Sequence, residues 1–134
     1  MKIIKNYRSI DESDRGSIIA IGNFDGIHNG HKALINNIIE LSKTRGKKTG
    51  ICTFNPHPRN FFADGQAINQ ITSQELKYEI LKKLGIDILY EIEFNHELSR
   101  MSPDEFFNNI LVDGLGVSHV TVGSDFKFGH KRSG

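Results

Sequence analysis

In SIIAIGNFDGIHNGHKALINNIIELSKTRG, Ser17–Gly46, a strand pattern hands over to a helix pattern across a glycine-rich loop. Ser17 to Gly22 is short, apolar and β-branched, which reads as a buried strand. From His31 to Arg45 the apolar positions Leu34, Ile35, Ile38, Ile39 and Leu41 recur at helical spacing, and Gly46 supplies a stop. The loop between them holds Gly22, Gly26 and Gly30 together with His28 and His31.

The same alternation continues along the chain. Lys48–Phe54 reads as a second strand, closed by the breaker cluster NPHPRN. Thr72 with Glu75 has the spacing of a capping box, and the helix it opens runs to Leu84 with Gly85 behind it. Ile86–Phe94 is a third strand. Ser102, Pro103 and Glu105 repeat the helix-start signal, and that helix ends at the glycines of DGLG. His119–Gly123 is a fourth strand. Strands alternating with helices at this spacing predict β-α-β crossovers on a parallel sheet with helices on both faces, an α/β fold. In such sheets ligands sit beyond the carboxyl ends of the strands. Three unusual loops each follow a strand, GNFDGIHNGH, NPHPRNFF and GSDFKFGHKRSG, so all three are expected to meet on one edge.

Composition narrows the function classes. The 134 residues make one domain, and 37% hydrophobic with 25% charged residues is a globular balance. A net charge of +1 gives no field for holding nucleic acid or an anionic membrane surface. No apolar run reaches transmembrane length, and Met1–Ser9 lacks a signal-peptide core. The lone Cys52, inside an apolar strand, is expected to be a buried, inert thiol in a reducing, cytoplasmic setting. FGHKRSG is a poor place for a fold to stop, so the domain 1–134 is expected to continue in a longer chain.

The first loop has the chemistry of a phosphate site. A helix N-terminus offers unpaired amides and a partial positive charge, and Gly22, Gly26 and Gly30 let a ligand approach the backbone. The loop is neither a P-loop, having no Gly-Lys-Ser/Thr ending, nor a dinucleotide fingerprint. In place of the lysine stands His28-Asn29-Gly30-His31, whose imidazoles can donate to oxygens that gain negative charge in a transition state. Zinc ligation and plain surface or capping roles are the competing readings, and neither cysteines nor a clear carboxylate set complete a zinc site. In the second loop Pro56 and Pro58 flank His57 and stiffen the turn, while Phe61 and Phe62 offer flat apolar surface to a heterocycle or to the core. In the third, Phe126 and Phe128 share a face at strand spacing, and Asp125 can bind a ribose hydroxyl or help position a metal ion. Lys127, Lys131 and Arg132 either meet phosphate or are solvated.

GNFDGIHNGH resembles the H-x-G-H motif of the nucleotidyltransferase superfamily. With TFNPHPRNFF, ITSQELK and VGSDFKFGHKRSG in this order, the chain from Ser17 to Gly134 resembles the FMN adenylyltransferase module of bacterial FAD synthetases. The resemblance implies the Rossmann-like nucleotidyltransferase fold and synthesis of FAD from FMN and ATP, with Mg²⁺ accompanying ATP. It implies His28 and His31 as catalytic groups on the ATP phosphates. The implied nucleotide set is Gly22, Asn23, Phe24, Asp25, Gly26, Gly30 and Asp125, and the flavin set is Pro56, His57, Pro58, Phe62, Phe126 and Phe128. Two departures stand out: Asn60 replaces an acid common in the family, and neither the later phosphate motif nor a riboflavin kinase domain falls within these residues. Other small-molecule nucleotidyltransferases and a non-catalytic flavin- or nucleotide-binding module are the rival readings.

Overall fold

The computed structural model describes residues 1–22, 24, 29–55 and 74–123. Among them, five strands form one sheet: β1 (Lys2–Ile4), β2 (Ile18–Ile21), β3 (Thr49–Asn55), β4 (Ile88–Glu93) and β5 (His119–Val122). Their order is β1-β4-β3-β2-β5 and every neighbouring pair is parallel. The helices are α1 (Asn29–Arg45), α2 (Gln74–Leu84), α3 (His96–Ser99) and α4 (Pro103–Glu105), the last running directly into a π-helix (Phe106–Leu115). The expected parallel α/β sheet is therefore present, with one strand and one short helix more than the sequence pattern predicts.

Successive residues of a strand point to opposite faces, and here both faces are apolar. Ile18 and Ala20 of β2, Ile51 of β3 and Leu89 of β4 pack with Ile35 and Ile38 of α1 and Leu81 of α2. Ile19, Ile21, Cys52, Phe54, Tyr90 and Ile92 pack on the opposite side with Phe106, Ile110, Leu111 and Leu115 of the π-helix. Both β2 and all of β3 but Asn55 are buried, as strands covered on two sides must be. The chain moves outward from β2 through α1, β3 and α2 to β4, then returns over the other face to lay β5 on the far side of β2. The direction of winding reverses between β2 and β5, which is where such sheets open a crevice at their carboxyl edge.

The capping box expected at Ser102 is complete: Glu105 N–H donates to Ser102 Oγ (3.1 Å) and Ser102 N–H to the Glu105 carboxylate (3.4 Å). The helix ends at Gly116, and its last carbonyls are held by the Arg15 guanidinium, 3.0 Å from the Gly114 oxygen and 3.1 Å from that of Asp113. Thr72, the expected cap of α2, lies outside the described residues. Helices α1 and α2 stop before Gly46 and Gly85 as expected.

The amino edge of the sheet is tied by polar groups. The Asp14 side chain, in a short 3₁₀ turn (Glu12–Asp14), is 3% exposed and takes the ammonium groups of Lys2 and, at 3.3 Å, Lys48. The Tyr90 hydroxyl donates to the Asp14 carbonyl (3.0 Å) and lies 2.7 Å from Ser17 Oγ. One cluster thus joins the starts of β1, β2 and β3 to the middle of β4.

Candidate active site

Strands β3, β2 and β5 are neighbours, and each of the three unusual loops leaves the carboxyl end of one of them. Ile21 pairs with Cys52 on one side and with Val122 on the other, so the first and third loops depart at the same level. β3 continues three residues beyond Cys52, to Asn55, and carries the second loop further out. The three loop origins thus share one edge in the strand register, while the expected meeting of the loops themselves lies outside the described residues.

The first loop can be followed at Gly22, Phe24 and the start of α1. Phe24 has φ 52°, the one non-glycine residue with positive φ among those described, a conformation that costs an L-residue steric energy. The ring that this turn directs inward is wholly buried and joins the α1 side of the core. It folds back over Gly22, where a Cβ would stand 2.9 Å from Phe24 Cε2. Gly22 therefore has a packing reason to lack a side chain. Phe24, expected among the nucleotide-binding residues, has no exposed surface, and its ring serves as a support.

What it supports is His31. The two rings are 5.0 Å apart at 49°, and His31 sits in the first turn of α1 with 6% of its surface exposed. Packing on Phe24 limits the imidazole's freedom, and a side chain fixed beforehand loses less entropy on meeting a ligand. The first turn of α1 contains no acidic residue, so the positive end of the helix is not neutralised from within. Gly30 lies in this turn. His28, Asn23, Asp25, Gly26, Asp125, Pro56, His57, Pro58, Phe62, Phe126 and Phe128 lie outside the described residues, as do Phe61, Lys127, Lys131 and Arg132.

Sequence reasoning missed a second group of buried polar side chains on the α1–α2 side of the sheet. Thr53 of β3 pairs in register with Glu91 of β4, and both are nearly inaccessible, as is Lys77 of α2. Glu91 accepts a hydrogen bond from the Tyr78 hydroxyl at 2.5 Å and lies 3.7 Å from Lys5 Nζ. Burial, reinforced by that carboxylate, pushes the Tyr78 hydroxyl up to about 12, so it stays a donor throughout the physiological range. Lys77 offered a signal: it stands four residues before Leu81, on the stripe of α2 that enters the core.

Among the described residues no group of three or more His, Cys, Asp or Glu is placed to hold a metal ion. A cavity of about 530 Å³ is lined by Tyr7, Arg8, Arg15, Glu97 and Asn109 among others. Of its charged groups, Arg8 pairs with Glu97 at 2.8 Å and Arg15 holds the π-helix carbonyls. No helix among the described residues is long and apolar enough to cross a membrane.

A family model described as FAD synthetase matches residues 10–134. The bifunctional riboflavin kinase/FMN adenylyltransferase of Listeria monocytogenes is 37% identical over 91% of this chain and 39% of its own length. That of Buchnera aphidicola from Schizaphis graminum is 33% identical over 100% of this chain and 43% of its own, and that of Escherichia coli K12 is 31% identical with the same coverages. The chain thus spans less than half the length of the curated relatives it matches. A solved structure from Streptococcus pneumoniae, described as a macrolide-efflux protein, superposes with a TM-score of 0.79 at 24% identity, over 98% of this chain and 43% of that one. At that identity the likeness concerns the fold.

Proposed function

Because this chain belongs to the FAD synthetase family, we propose that it transfers AMP from ATP to FMN, forming FAD and releasing pyrophosphate. The observation that carries the reading is the convergence of the three loop origins on neighbouring strands, with His31 at the start of α1 beside them. An FMN phosphate oxygen attacks the α-phosphorus of ATP. The bond from that phosphorus to the bridging oxygen breaks, and pyrophosphate leaves with the electron pair. FMN's phosphate is ionised near neutral pH, so the nucleophile needs no general base. The work left to the protein is alignment and the stabilisation of charge.

In this reading the first turn of α1 and the imidazoles of His28 and His31 face the triphosphate, with His31 braced by Phe24. The loops after β3 and β5 supply the flavin side. Mg²⁺ arrives with ATP as part of the substrate, held mainly by phosphate oxygens. A cytoplasmic enzyme fits the free, buried Cys52.

The test is FAD formation by the full-length protein from FMN, ATP and Mg²⁺, read by chromatography with pyrophosphate measured alongside. FAD and pyrophosphate in equal amounts support the reading; their absence overturns it. Replacing FMN by phosphopantetheine tests the acceptor, and turnover with that compound alone would assign a different nucleotidyltransferase. His31→Ala is expected to lower turnover by about 10²-fold or more, the scale of losing one transition-state donor.

A further inference from the structure

Among the described residues, the one strained non-glycine backbone is tied to a single imidazole. Phe24, at φ 52°, holds a conformation that an L-residue keeps only when its surroundings impose it. Burying an apolar ring does not by itself call for such backbone: the strand residues of both core clusters are buried without it. What the turn adds is placement. The wholly buried ring meets both Gly22 and His31. A Cβ on Gly22 would stand 2.9 Å from its Cε2 and 3.2 Å from its Cζ, and the His31 ring centroid is 5.0 Å from its own. With no exposed surface, the ring has no solvent to swing into when it is pushed.

We propose that Gly22, Phe24 and His31 form one positioning unit for the chemical step: Gly22 leaves the space, Phe24 fills it, and the filled space fixes the His31 imidazole before ATP arrives. Gly22 and Phe24 are then positioning residues that act through His31, a role that rests on the adenylyl-transfer reading. Fixing a transition-state donor beforehand acts on turnover. A residue that contacts ATP equally in the ground and transition states acts on KM instead.

The experiment is a double-mutant cycle in the full-length protein, with Phe24→Leu, His31→Ala and the double variant assayed for FAD formation. Phe24→Leu is expected to lower kcat by about tenfold and to move KM for ATP by less than about twofold. In the His31→Ala background the same change should lower kcat by less than about twofold, since no imidazole is left to misplace. Gly22→Ala, which pushes the ring from the Gly22 side, should reproduce the kcat loss. Ile38→Ala removes apolar bulk from the same core cluster about two turns further along α1. It should lower the urea midpoint and leave kcat within about twofold. In NMR spectra of protein with isotope-labelled histidine, the ring resonance absent from His31→Ala should shift in Phe24→Leu and stay in place in Ile38→Ala. Equal fractional losses in the two backgrounds, a raised KM for ATP with kcat unchanged, or a matching kcat loss in Ile38→Ala would overturn the proposal. If Phe24→Leu fails to fold, Gly22→Ala takes its place in the cycle. If the parent protein makes no FAD, the adenylyl-transfer reading falls, and the His31 resonance still decides whether Phe24 holds the imidazole.

Discussion

A few single positions carry constraints out of proportion to their size. Gly50, inside β3, has no room for a methyl group: a Cβ would stand 2.8 Å from the Tyr90 ring and 2.9 Å from Ile19 Cγ2. Gly50→Ala should cost about 1–3 kcal/mol, as overpacking in a filled core does, visible as a lower urea midpoint with the slope unchanged. Two residues along, Cys52 is fully buried and loss of hydration alone pushes its thiol up to about 12. It is neutral below that value, so an alkylating reagent at pH 8 should leave the native protein unlabelled and modify it fully once it is unfolded. The expected inert thiol was legible from its apolar neighbours. The role of Phe24 was not. An aromatic residue in a glycine-rich loop reads as ligand surface, and only the left-handed turn at φ 52° sends the ring inward beneath His31. Glu91 was hidden for a related reason. In ILYEIE it falls on the polar side of an alternating strand, whereas α2 lies over that side and buries it.

At the scale of elements, the strongest sequence signals were those with local causes. The β-branched run of β2, the stripe of α1 and the box at Ser102 each need only their own neighbours. β1 is three residues with two of them exposed, and nothing local marks it as a strand; its reason is β4, more than eighty residues away, through the Lys2–Ile88 register. The π-helix could have been recognised. Its buried positions are 106, 110, 111 and 115. Nine residues make about two and a half turns of an α-helix, which would put Phe106 and Leu115 on opposite sides; a wider turn returns both to the core. Asp14 binds several elements at once, and its pH dependence has a definite sign. The Lys2 ammonium, followed by that of Lys48, holds its carboxyl below the ordinary 3.8. A carboxyl depressed by folding contributes stability above its unfolded value and loses it as pH falls through the folded one. The urea midpoint should therefore decline from about pH 4 downward, and Asp14→Asn should flatten part of that decline while lowering the midpoint at pH 7.

Across the whole molecule the two edges of the sheet have different duties. The amino edge holds Asp14, Lys2, Lys48 and Ser17 joined to Tyr90, while the carboxyl edge holds His31 and the three loop origins. The seven residues of β3, at about 3.3 Å each, separate these edges by about 20 Å. On the proposed adenylyl transfer, Asp14→Asn is accordingly expected to leave KM for FMN and for ATP unchanged under conditions where the variant is folded, a result that steady-state kinetics at about 20 °C or below can check. That the loop origins share an edge was legible from strand–helix alternation. Which strand lies beside which was not, because the reversal between β2 and β5 depends on the face over which the π-helix returns. The polar knot around Asp14 has a further consequence for how such a protein changes over time. Variation that tunes thermal tolerance can accumulate at one end of the sheet while loop exchange at the other explores new acceptors, so robustness and innovation draw on separate residues and need not compete.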